Sequence, residues 1–172
     1  MQTRINIREF EDKLFSQNGE DGILAYLGGL LEKPTKTFLE IGCSDGSENN
    51  SRNLLKNGYS GTAVDLSWKK CLNYLQLAIN EGVNKNLKIK TSTVCLQNVM
   101  EILTWEGLFP DIFSLDIDSY DYFILDRLFQ NEFRPSILCL ECNTFLGVEP
   151  VTVDYITPFS RYDLQPDYGL YF

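Results

Sequence analysis

Thr37-Phe-Leu-Glu-Ile-Gly-Cys-Ser-Asp-Gly46, followed by Ala63-Val-Asp65, decides the fold. The first stretch reads as a short apolar strand running into a tight turn with glycines at Gly42 and Gly46. A second strand then ends in a carboxylate about 25 residues after Glu40. An open α/β sheet binds a nucleoside in this way. Glycine lets the backbone approach the ligand, and the second acid accepts hydrogen bonds from both ribose hydroxyls.

Outward from this core, helical and strand patterns alternate. Ser16 is placed to cap a helix that starts near Glu20 and stops at Lys33-Pro34. After the strand Thr37–Ile41, the sequence predicts a helix over Ser51–Lys56, closed by Asn57-Gly58. A strand over Gly61–Asp65, a helix over Trp68–Asn80 and a strand over Leu87–Lys90 come next. The pattern continues with a helix at Asn98–Glu106, a strand at Asp111–Asp116, a helix at Asp121–Phe129 and a strand at Ser136–Glu141. Near-continuous apolar strands separated by helices imply a parallel sheet covered on both faces. Right-handed crossovers make it doubly wound. The expected organisation is one α/β domain over 1–172. It has an N-terminal helical segment (1–36), a Rossmann-like core (37–143) and an irregular aromatic segment (144–172). That last segment either covers a site or packs over a sheet edge.

Composition removes several functions. A net charge of −9 leaves nothing to neutralise a phosphate backbone, so nucleic acid is not an expected partner. Lys69-Lys70 and the Lys85–Lys90 segment read as solvated surface. No apolar run is long enough to span a bilayer, and the first ten residues lack the apolar region of a signal peptide; no membrane association and a cytoplasmic location are expected. Five scattered cysteines fit reduced thiols. Cys139 and Cys142 form a C-x-x-C, but on a strand residues three apart point to opposite faces. The chain has no histidine. Ser-His-Asp and Cys-His catalysis and histidine-based zinc sites are thereby excluded, and proton transfer falls to Asp, Glu, Lys, Tyr, Cys or water.

Ligands of open α/β sheets sit beyond the carboxyl ends of the strands. Four of the five expected strands end there in acid: Glu40, Asp65, Asp116 and Glu141. The glycine order differs from the dinucleotide pattern G-x-G-x-x-G, because Ser44 stands at the middle position. An acid leading the motif suits an ammonium better than a pyrophosphate. Both features favour S-adenosylmethionine over a nicotinamide dinucleotide, and no P-loop is present.

Three segments resemble the FkbM-like family of class I S-adenosylmethionine-dependent methyltransferases. They are Ser16-Gln-Asn-Gly-Glu-Asp21, Phe38-Leu-Glu-Ile-Gly-Cys-Ser-Asp-Gly46, and Asp111 to Tyr122 together with Leu140-Glu-Cys-Asn143. The resemblance implies that Glu40, Gly42, Asp45 and Gly46 line the methionine half of the cofactor and that Asp65 holds the ribose. Thr93 or Asn98 would touch the adenine. Asp116 would lie beside the transferred methyl, and Asp118, Asp121 and Glu141 would face the acceptor. Ser119 replaces the glycine usual in that family. The family's closing β-hairpin is not legible after Asn143, so the expected sheet is doubly wound and mainly parallel, with or without that hairpin.

The implied function is O-methylation of a small polar acceptor such as a sugar or glycan precursor, with Asp116, Asp118 or Glu141 as the base. A less favoured version adds Mg²⁺ or Ca²⁺ at Asp116, Asp118, Glu141 and Asn143. The other reading is a truncated or non-catalytic cofactor-binding module acting through a partner. An unpaired edge at the fifth strand would suit a homo-oligomer.

Overall fold

The computed structural model describes residues 5–103, 109–141 and 155. Its centre is a parallel five-stranded sheet: β1 (Thr37–Ile41), β2 (Ser60–Asp65), β3 (Leu87–Thr91), β4 (Ile112–Leu115) and β5 (Ile137–Leu140). The spatial order is β3-β2-β1-β4-β5. The chain thus works outward from β1 in one direction, then returns to lay β4 on its other side. Five α-helices lie among the described residues: α1 (Glu20–Gly29), α2 (Ser51–Lys56), α3 (Trp68–Asn80), α4 (Val99–Leu103) and α5 (Asp121–Gln130). None of these is long and apolar enough to cross a membrane.

Alternation along β1 sorts the core into two layers. Phe38 joins Leu54, Leu55, Tyr74 and Ala78 under α2 and α3. Leu39 and Ile41 join Phe113, Ile124, Leu128 and Phe133 on the opposite face, under α5. Both faces of β1 and β4 are closed to solvent, as their apolar sequences require. The amino ends of the two central strands are clasped together. Buried Asp111, just before β4, accepts from Lys36 N at 2.7 Å and Thr35 Oγ1 at 3.1 Å, just before β1.

Three expectations are corrected. Helix α1 stops at Gly29 instead of Lys33-Pro34. The Gly28-Gly29 pair weakens its last turn, Leu30 N falls back to the Leu27 carbonyl, and the Leu30 side chain is exposed. Strand β5 is not apolar on both faces in context, since Leu138 and Leu140 are partly exposed; it forms the sheet edge among the described residues. Ser119 needs no glycine-like backbone, because the left-handed conformation falls on Asp118, at φ +55°. The last three residues of the expected helix at 98–106, Cys142, Asn143 and all but Tyr155 of the aromatic segment lie outside the described residues.

Candidate functional site

The register builds the site. Ile41 lies between Val64 and Leu115, so the next residue of each chain segment, Gly42, Asp65 and Asp116, converge at the carboxyl end of the sheet. Gly42 N donates to the Val64 carbonyl at 2.8 Å, and Asp116 N to the Ile41 carbonyl at 3.0 Å. Gly42 has a φ of +95°, and a Cβ there would overlap the Asp116 carbonyl. Only glycine lets the β1 loop cross so close to β4.

A crevice of about 720 Å³ opens over these residues, within the size range of small-molecule sites. Gly42, Asp65 and Asp116 contribute to its lining, together with Leu66, Lys70, Thr93, Tyr120 and Tyr155. Asp65 is buried, and its carboxylate fixes two loops at once. Oδ2 accepts from Ser44 N at 3.0 Å and Oδ1 from Ser67 N at 2.7 Å. Tyr155 packs on Tyr120, with ring centroids 4.4 Å apart, and its hydroxyl accepts from Leu96 N at 3.4 Å. One residue of the aromatic segment therefore does reach the crevice.

Glu40 stands elsewhere. It lies inside β1, one residue before the strand ends, on the Phe38 side. Its buried carboxylate accepts from Asn50 N at 2.9 Å, Ser51 N at 3.2 Å, Asn49 Nδ2 at 3.2 Å and Ser51 Oγ. It serves as the N-terminal cap of α2. Burial pushes its pKa up against those hydrogen bonds. Asp45 and Gly46 do not line the crevice either. Asp45 accepts from Ser47 N and Oγ at 3.0 and 2.6 Å, bonds that hold its carboxyl below the ordinary range. Gly46 presses on the Tyr74 ring where any Cβ would collide.

The other acids gather at the mouth. Carboxylate oxygens of Asp116, Asp118 and Glu141 lie within 4.8 Å of one another, on exposed residues. Partial desolvation, then repulsion from Asp118, raises Asp116. Partial desolvation, then repulsion from Asp116 and Asp118, pushes Glu141 up to about 7. This triad offers hard oxygen donors that suit Mg²⁺ or Ca²⁺. Asp121, expected to face the acceptor, instead holds the turn after β4, accepting from Ile117 N and Ser119 N at 3.0 and 3.1 Å. Thr93 lines the crevice, whereas Asn98 braces its loop by accepting from Cys95 N and donating to the Thr93 carbonyl.

Sequence reasoning missed Lys70 and Tyr120 in the lining, and Gln17 and Glu20 in a smaller adjoining cavity. The available signal was topological. The first turn of a helix that follows a parallel strand lies at the carboxyl end of the sheet, which brings Lys70 to the site.

No protein-family model and no curated protein sequence matches the chain. Solved structures do. An O-methyltransferase from Bacillus cereus, in complex with SAH, superimposes with a TM-score of 0.51 at 16% identity, over 66% of this chain and 49% of its own. A protein described as an O-methyltransferase from Klebsiella pneumoniae gives a TM-score of 0.54 at 17% identity, over 69% of this chain and 55% of its own. The fold is shared with O-methyltransferases. The chain spans about half the length of these two proteins.

Proposed function

We propose that the crevice binds S-adenosylmethionine and that the chain transfers its methyl group to an oxygen of a small polar acceptor, such as a sugar or glycan precursor, in keeping with the resemblance to the FkbM-like family. The observation that carries the reading is the convergence of Gly42, Asp65 and Asp116 at the ends of three adjacent strands, under a crevice of nucleoside size. Asp65 would hold the ribose: each of its oxygens keeps a lone pair after bonding Ser44 N and Ser67 N. Leu66, which is 72% exposed beside it, offers an apolar face to the base.

When bound, the cofactor supplies a methyl group already activated on sulfur, so the protein's tasks are alignment and proton removal. Glu141, Asp116 and Asp118 perform the second task. A carboxylate pushed up to about 7 by partial desolvation and by its acidic neighbours takes a hydroxyl proton at neutral pH more readily than an ordinary one. Asp65→Ala should weaken binding of S-adenosylhomocysteine (SAH) at least about tenfold by calorimetry. Unchanged affinity would remove Asp65 from the site.

The spacing of the acidic triad supports a second version, in which a divalent cation at Asp116, Asp118 and Glu141 orients the acceptor oxygen and lowers its pKa. Methyl transfer that survives EDTA undiminished excludes this version; loss restored by Mg²⁺ or Ca²⁺ supports it.

A further inference from the structure

We propose that Glu20, assisted by Gln17, binds the protonated amine of the cofactor's amino-acid tail, and that Glu40 does not. This rests on the S-adenosylmethionine reading above.

A second cavity, of about 70 Å³, adjoins the crevice and shares Ile41, Gly42, Glu48 and Asp116 with it. The space is large enough for an ammonium. Gln17, Glu20, Glu40, Asn50 and Ser114 supply most of the remaining wall. Such a lining accepts a cation and repels a carboxylate.

The carboxylates differ in what they can reach. Glu40 is buried and is held by four donors from the start of α2. Glu20 is only half-buried, and its donors come from its own turn: Asn18 N at 2.8 Å and Asn18 Nδ2 at 3.4 Å, with the Ser16 side chain and its own backbone. Burial pushes its carboxyl up, but hydrogen bonds from its own backbone and from Asn18 outweigh that and hold it below the ordinary range. It is the ionised partner an ammonium needs. Glu48, on the rim, is exposed and already has Lys13 at 3.8 Å.

The turn that carries Glu20 is firmly built. Asp21 Oδ2 accepts from Leu14, Phe15 and Ser16 N at 3.0, 2.5 and 2.7 Å, and Ser16 Oγ accepts from Asp21 N at 3.1 Å. Asn49 N donates to the Phe15 carbonyl at 3.1 Å. The Arg52 guanidinium and Lys56 ammonium lie 4.2 and 4.7 Å from the Phe15 ring, tying the turn to α2. Ser16 and Asp21 thus serve the clamp, while Gln17 and Glu20 reach the cavity. This gives the Ser16–Asp21 segment a role that a capping reading alone leaves out.

The test is calorimetry with SAH and with 5′-methylthioadenosine, which keeps the nucleoside and thioether but lacks the amino-acid tail. Glu20→Gln should lower SAH affinity about tenfold and leave methylthioadenosine within about twofold. Gln17→Ala, at an exposed side chain with little bearing on folding, should show the same selectivity with about a threefold loss. Glu48→Gln should not discriminate between the ligands. Unchanged SAH binding by both Glu20→Gln and Gln17→Ala, equal losses for both ligands, or selective loss in Glu48→Gln each overturns the proposal. Wild-type protein that binds neither ligand overturns the cofactor reading, and the subsite with it.

Discussion

At the scale of single residues, Glu141 ties stability to pH. Its carboxyl is held up to about 7 by partial desolvation and by Asp116 and Asp118, whereas a glutamate in an unfolded chain titrates near ~4.3. The folded state therefore binds this proton more tightly than the unfolded state does. Ionising Glu141 costs folding free energy. That cost is absent below the unfolded pKa, grows as pH rises between the two values, and is complete above the folded one. Glu141→Gln removes it. The variant should be more stable than the parent at alkaline pH and equal to it in acid, as read by urea denaturation across the range. Equal stability throughout would mean that the three acids exert no strain on one another. If Glu141 also takes the acceptor's proton, the same variant loses methyl transfer while it gains stability, an opposition typical of strained sites.

At the scale of elements, Glu40 binds strand β1 to helix α2. Six residues of helix have little stability of their own, so α2 depends on this cap and on its buried Leu54 and Leu55. Glu40→Ala would leave several buried donors without an acceptor and should cost about 2–4 kcal/mol in chemical denaturation. A loss under about 1 kcal/mol would mean that water replaces the carboxylate. Much at this scale was legible in the sequence. Helix α3 runs over Trp68–Asn80 as expected, because Ser67 precedes it and Cys71, Tyr74 and Ala78 recur on one buried face. The capping bonds of Glu40 were not legible while strand-end acids were treated as one class. The two-residue period of β1 already put Glu40 on the side of Phe38, toward the helices. Asp121 was hidden for a related reason: a carboxylate in a loop can bind a ligand or bind its own turn, and the spacing is the same in both cases. The early stop of α1 is a competition between apolar spacing, which runs on to Leu31, and two glycines, which prevail.

At the scale of the whole molecule, the parallel sheet and its two covering layers could be read from alternation and apolar runs, but neither the strand order nor the exposed face of β5. The crevice could be only half read, since its walls come from residues such as Leu66, Lys70 and Tyr155 that no local motif marks. They meet because of the strand order, and that order has a consequence in time. β1 pairs with β2 and β2 with β3 after short connections, whereas Phe38 finds Ile112 only after about 70 intervening residues are closed into a loop. Contacts so distant in sequence form late. Pulse-labelled hydrogen exchange during refolding should thus show protection in β1, β2 and β3 before β4 and β5; simultaneous protection would argue for a single nucleus spanning the sheet. Gly42 and Asp65 belong to the early half and Asp116 to the late one. If the crevice holds the proposed cofactor, a nascent chain would complete the Gly42 and Asp65 side well before the Asp116 side, so the ability to bind would precede the ability to react.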